Sequence, residues 1–258
     1  MKHKFGIRLV QLTLFLALMT IWYGMTSLGI LDPFFFGEPL EIFQIIILWF
    51  AEGSIFPHLG ITILETILAF TIGTVGGLGC GLWLGLARNA SLIFDPYIKG
   101  FNAMPRVILA PIFAVWFGLG IWSKVCLGVT LVFFIVFFNV YHGVKQVNVD
   151  LIASARVMGA SQKQLLKHIY LPSAMAWVFS SLHSAVGMAF VGAVIGEYLG
   201  SARGVGYLIL QAEGVFDINS VFAGVMVLTA CALLLDRLVT IIEKYFMRWQ
   251  PGSSALQS

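Results

Sequence analysis

Four polar side chains stand inside stretches that are otherwise apolar: Glu65, Asn102, Asn139 and His183. A charged or hydrogen-bonding group among apolar residues is costly unless it faces a cavity, a solute or a partner side chain. These four are therefore the candidates for touching a polar solute. The competing reading for each is a hydrogen bond between neighbouring helices. Chemistry beyond binding finds no footing. His3, His58, His142, His168 and His183 are scattered, and none has ligand spacing to another His, Cys or carboxylate, so no metal site is expected. Cys80, Cys126 and Cys231 sit in apolar segments without a CxxC, as small hydrophobes do. There is no Walker A loop, HExxH, GxSxG or nucleotide-binding GxGxxG. The chain is thus expected to be no enzyme and to need no cofactor. Its basic residues form no phosphate track, which argues against nucleic acid as a partner.

The elements that must position these residues follow from composition. The 258 residues are 59% hydrophobic and 10% charged, with mean hydropathy +0.94. Soluble domains carry about 25% charged residues. A bilayer core needs about 20 apolar residues per helix. The pattern predicts an all-α membrane protein of about six spans, near 9–28, 58–87, 101–119, 125–141, 174–195 and 221–242. The first follows Lys2, Lys4 and Arg8 and lacks a small-x-small cleavage site, so it reads as an uncleaved span. An amphipathic run at 40–50 is too short to cross and is expected at the interface. Gly73, Gly77, Gly81 and Gly85 recur every four residues, a flat face for close helix approach. Asp95-Pro96 reads as a turn. Pro105 and Pro111 break the third span, as suits a wall of a solute pathway or a simple kink. Residues 197–218 read as a Gly-rich loop. With the N-terminus in the cytoplasm, thirteen Lys and Arg fall inside and two, Lys124 and Arg203, outside. That asymmetry places both termini in the cytoplasm.

One polar interval breaks the apolar pattern, 150–172, DLIASARVMGASQKQLLKHIYLP. It reads as two short helices. Asp150 is expected to cap the first and Gly159 to close it in the left-handed region. Ser161 with Gln164 makes a capping box for the second, and Pro172 opens the next span. Leu151, Ala155, Met158, Leu165 and Ile169 form a broken apolar stripe, with Ser154, Arg156, Lys163 and Lys167 away from it. Such an elbow lies on lipid headgroups or docks on a protein.

The same interval resembles the cytoplasmic loop of binding-protein-dependent ABC importer permeases. Their pattern is E-A-A, three residues, G, nine residues, I-x-L-P. Here Ala153, Ser154 and Ala155 hold the first positions; Gly159, with Ala160 beside it, follows; then come Ile169, Leu171 and Pro172. Ala153 replaces the Glu of the pattern, a residue that would pair with Asp150 across the helix start. Residues 95–120, Glu197, the RGVGYLI run at 203–209 and the closing Arg248-Trp249 are similar to the nitrate/sulfonate/taurine branch. The resemblance implies a type I importer permease, one transmembrane domain over 1–258 with its coupling loop at about 143–172, in a bacterial inner membrane. It also implies a second permease copy, two ABC ATPase subunits and an extracytoplasmic solute-binding protein. The rival is an ATP-independent secondary transporter, a class that commonly shows internal repeats and midplane charges.

The resemblance also bears on the solute. Relatives often carry Arg where Glu65 stands. Eight acids, Glu65 and Glu197 among them, fall outside against two bases, a field that disfavours an anion. A neutral or cationic, heteroaromatic solute is the expectation from this side of the molecule.

Overall fold

The computed structural model describes residues 2–246, all of whose regular elements are helical. The closing Arg248-Trp249 pair lies outside them. Five helices are long and apolar enough to cross a membrane: Leu9–Ser27, Phe56–Leu86, Ile121–Lys145, Ser181–Leu199 and Ile218–Tyr245. A bent pair, Arg88–Ala103 with Arg106–Phe117 at 76°, passes the same test when taken together and makes a sixth candidate.

In chain order the first elements are α1 (Lys2–Ser27), the short α2 (Pro33–Phe36) and α3 (Pro39–Glu52). Asp32 caps α2 by accepting from the Phe34 N–H, and Gly53 closes α3 with a left-handed φ of 76°. At 14 residues α3 does not span; it packs on the last helix of the chain. Then come α4 (Phe56–Leu86) and α5 (Arg88–Ala103). The expected turn at Asp95-Pro96 is not there: α5 runs through Pro96, which only deprives the Leu92 carbonyl of its amide partner. The third span, expected over 101–119 with breaks at Pro105 and Pro111, breaks at Pro105 alone, and Pro111 lies inside the helix that follows. The chain leaves α5 at Met104-Pro105, makes one 3-10 turn at Arg106–Ile108, and restarts as α6 (Leu109–Phe117). Pro105 explains the break, because it holds Met104 in extended backbone at ψ 133°.

α7 (Ile121–Lys145) is the centre of the fold. The glycines of α4 meet the valines of α7 one for one. A Cβ added at Gly73, Gly81 or Gly85 would come within 2.7, 2.8 and 2.9 Å of the Cβ of Val132, Val140 and Val144. At Gly77 it would lie 2.9 Å from the Cβ of Val136 and 2.7 Å from the Phe133 carbonyl oxygen. The predicted glycine face is therefore a seam, and its partner is a ridge of β-branched residues repeating at the same interval of four. After α8 (Val149–Val157) and α9 (Gln162–Leu165), α10 (Leu171–Leu199) packs on α4 and α7, with Ala174, Val178, Ala185 and Ala189 buried in the same core. Close backbone approach recurs where Gly192 crosses Gly128.

The 197–218 stretch, expected as a loop, contains α11 (Val205–Gly214). Only its start needs glycine, at Gly204 for a φ of +113° and at Gly206, where a Cβ would meet the Val194 carbonyl oxygen at 2.7 Å, while YLILQAE after them has ordinary helix formers. α12 (Ile218–Phe246) closes the second, smaller core with Ile55, Leu59, Phe190 and Val205.

Candidate functional site

The elbow between α7 and α10 is built by its caps. Asn148, not Asp150, is the first N-cap: its side chain accepts from the Asp150 N–H at 2.7 Å. Asp150 sits inside the first turn instead, where its charge suits the helix dipole. Ala153 therefore lies beyond reach of the cap, and the expected pairing of that position with residue 150 does not apply. α8 ends as foreseen. Gly159 has φ +83°, its N–H donates to the Arg156 carbonyl at 2.9 Å, and the Ala160 N–H donates to the Ala155 carbonyl at 3.0 Å. This is a Schellman closure, for which glycine is the favoured residue. The Ser161–Gln164 capping box is also present.

From there the backbone does not stop. α9 passes through a wide π-helical turn, Leu166–Tyr170, straight into α10. The widened turn leaves room for the ring of Pro172, which supplies no N–H to the turn before it. The expected apolar stripe divides in two. Leu165 is buried and Ile169 half-buried, with Ala155, Ala160, Leu171 and Pro172 also half-buried. Leu151 and Met158 are exposed, as are Ala153 and Ser154. Val157 and Met158, at 89% and 81% exposure, form an apolar tip flanked by exposed Arg156, Lys163 and Lys167.

The four polar residues singled out in the sequence are not brought together. Glu65 is buried at 1% exposure, with Glu197 at 0% and Lys124 at 1%. Thr62 donates to Glu197 Oε1 at 2.6 Å, and the Gly206 N–H donates to Oε2 at 2.8 Å. The Val205 N–H donates to Thr62 Oγ1 at 3.1 Å. Lys124 donates to the carbonyls of Leu119 and Gly120, at 2.5 and 3.0 Å. The cluster staples the start of α11 to α4, α7 and α10, and Glu65 has one oxygen without a hydrogen-bond partner among the described residues. Glu65 is thus a core residue rather than a wall of an open path. Neither it nor Glu197 belongs to the acidic outer surface they were counted in.

Asn139 is half-buried and donates to its own helix at the Ile135 carbonyl, 2.8 Å. His183 lies between two acids of α12, Nδ1 to Asp236 at 2.6 Å and Nε2 to Glu243 at 3.0 Å. Those acids went unremarked in the sequence, although their spacing of seven puts them on one helix face.

Asn102 is exposed at the end of α5 and accepts from Arg106 through both its side-chain and main-chain oxygens. Arg106, counted above as cytoplasmic, lies over Phe134 with its guanidinium carbon 4.5 Å from the ring centroid. Phe134 stands near the middle of α7, about 20 Å from one end and about 16 Å from the other. Phe134 also belongs to a double column of rings. Phe133, Phe137 and Tyr141 stack at 5.9 Å per step. Phe134, Phe138 and His142 follow at 6.3 Å per step. Edge contacts of 5.1, 5.2 and 5.7 Å join the columns rung by rung. The pairs recur every four residues, so they share one helix face. Ser91 of α5 meets the Tyr141 hydroxyl at 2.6 Å.

Comparison with known proteins adds the following. Residues 73–248 match the family described as binding-protein-dependent transport system inner membrane component. A protein of Bacillus subtilis (strain 168) assigned to aliphatic sulfonates transport is 30% identical, over 90% of this chain and 84% of that one. The formylaminopyrimidine transport permease protein ThiX of Halalkalibacterium halodurans is 30% identical, over 92% of this chain and 94% of that one. Among solved structures, a chain of the MetNI methionine ABC transporter is similar in fold, with a TM-score of 0.65 at 19% identity, covering 74% of this chain and 95% of that one.

Proposed function

Because the chain belongs to the family of binding-protein-dependent transport system inner membrane components, we propose that it works as one half of a pair of identical permeases served by two ABC ATPase subunits and an extracytoplasmic solute-binding protein. As a permease subunit of an ABC importer it carries a small solute across the inner membrane. We read 1–258 as a single permease domain with both termini in the cytoplasm. With Arg106 moved to membrane depth and Lys124 taken into the buried cluster, we read twelve of the sequence's other Lys and Arg on the elbow side and one, Arg203, on the other, an asymmetry that supports this orientation. ATP hydrolysis belongs to the partner subunit, and this chain contributes no catalytic residue.

The observation that carries the coupling role is the elbow. It is closed at Gly159 and Ser161, it presents Val157 and Met158 outward, and it is continuous with α10 through Leu166–Tyr170. A rigid tip with an apolar end and a basic rim suits a groove on another protein better than a lipid surface. In that reading Ala153, Ser154, Ala155, Gly159 and Ala160 shape the docking helix, and Ile169, Leu171 and Pro172 join it to the membrane core. Closure of the ATPases around ATP would push on the tip, and α10 would carry the push inward. The relatives are named for aliphatic sulfonates and for formylaminopyrimidine; from these names we infer a small polar organic solute.

The test is mild-detergent purification of the tagged chain with mass spectrometry of what accompanies it. An ATPase subunit and a second copy of the chain are expected. A chain that emerges alone, even when an ATPase encoded beside it is co-expressed, would remove the coupling role from the elbow.

A further inference from the structure

We propose that Arg106 is a solute-contacting residue, taking the anionic group of the transported solute at the α5–α6 break, with the ring column of α7 receiving the solute's planar or apolar body. This rests on the permease reading above and adds a site within the permease itself.

The first support is depth. Arg106 lies over a ring at the middle of a 25-residue crossing helix. A guanidinium there is disfavoured against hydrocarbon and faces water, a solute or a partner. The second is the state of its bonds. Among the described residues no carboxylate approaches Arg106 within 4.0 Å, its hydrogen bonds run from one Nη to Asn102 alone, and its Nε is buried without an acceptor. A guanidinium has five N–H donors in a planar fork, so most of its capacity is unspent. Apart from Glu65, which keeps one oxygen unpartnered inside the buried cluster, the charged groups of that cluster and around His183 within the crossing helices are engaged. Lys124 donates to two carbonyls, Glu197 accepts from Thr62 and Gly206, and Asp236 and Glu243 share His183.

The third support is the break itself. The 76° bend leaves Asn102, Ala103, Met104 and Pro105 exposed beside the arginine. Irregular backbone at membrane depth is tolerated where it lines a cavity or is covered by protein. Finally, Phe134 fixes the guanidinium from below, and Phe138 and His142 continue the same column toward the elbow side. A guanidinium fork pairs two oxygens of a sulfonate or carboxylate at once, and an aromatic or short apolar body then has rings to lie on. The solute so described is a small organic oxyanion. The negative outer field expected from the sequence loses two of its eight acids to the buried cluster, and does not reach this depth.

The experiment uses the full-length chain with its co-purified ATPase in nanodiscs at low salt. The probes are benzenesulfonate, its uncharged analogue benzenesulfonamide, and the ringless methanesulfonate, followed by ligand-observed saturation-transfer NMR. Benzenesulfonate is expected to bind more tightly than either analogue. Arg106→Gln is expected to weaken it at least tenfold, Arg106→Lys less, and Phe134→Leu severalfold, with ATPase and second copy still co-purifying in all three variants. That retained assembly separates failure of this site from failure of the permease reading. The proposal is overturned by absence of wild-type binding, by equal binding of the sulfonamide, or by unchanged binding in Arg106→Gln. Loss of the second copy in Arg106→Gln also overturns it, because the arginine would then be pairing a carboxylate across the dimer.

Discussion

Gly204 has φ +113°, and a Cβ there would overlap the Glu197 carboxyl that the cluster buries. Gly204→Ala should therefore cost more than the left-handed backbone alone would charge. The expected result is a lower thermal midpoint and a larger aggregated fraction on size exclusion, whereas Gly214→Ala, with nothing within 4 Å, should behave as wild type. Lys124→Met removes the cation that stands beside Glu65 and Glu197 and leaves two buried acids without it, which strongly destabilises such clusters. Lys124→Met combined with Glu65→Gln should recover part of the lost midpoint, and a double-mutant cycle reads the coupling directly. If the two losses simply add, the groups do not interact. These residues were the least legible from sequence. Glu65 reads as a polar residue in a span; only the fold reveals that Glu197, 132 positions later, lies beside it.

Among the elements, the α4–α7 seam was half legible. The glycine repeat announced a flat face, but the valine repeat on α7 hides in a run where nearly every residue is apolar. Gly81→Leu should force Val140 and the Phe137 carbonyl apart, at a cost of about 1–3 kcal/mol or more. Gly79→Ala, which meets nothing within 4 Å, should be tolerated. Thermal unfolding of the two variants in one detergent decides it. The elbow helix gives a different signature. No atom lies within 4 Å of a Cβ at Gly159, so Gly159→Val carries only backbone strain, roughly 1 kcal/mol or more. The variant should insert and fold normally yet fail to couple ATP hydrolysis to uptake in proteoliposomes; wild-type coupling would rule out that turn as the critical one. The elbow's cap positions were readable because local hydrogen bonds fix them, except that Asn148 outcompeted Asp150. The broken third crossing was readable from Pro105 but not its angle, which depends on where α6 finds room against α7.

For the molecule as a whole, five crossing-length helices, the bent pair and their order followed from hydropathy, since a bilayer leaves the backbone few alternatives. Which charges lie where did not follow, because a residue's distance along the chain says nothing of its place in the fold: Arg106 sits only three positions after α5 ends yet lies over Phe134, near the middle of α7. The assembly is tested at its tip. Val157→Asp with Met158→Asp should abolish co-purification of the ATPase while the chain's own thermal midpoint stays unchanged, because both side chains are exposed. Retention of the ATPase would move its contact elsewhere on the chain. The wide turn at Leu166–Tyr170 carries one consequence more. A π turn holds one residue beyond the α-helical count, and each residue of an α-helix turns the chain by about 100°. Deleting a single residue there would let the helix wind evenly, yet it would swing the elbow around the α10 axis by roughly a quarter of a circle. The tip would remain intact and well capped while pointing away from whatever it now meets. Length in this short segment thus works as an angular setting for the elbow.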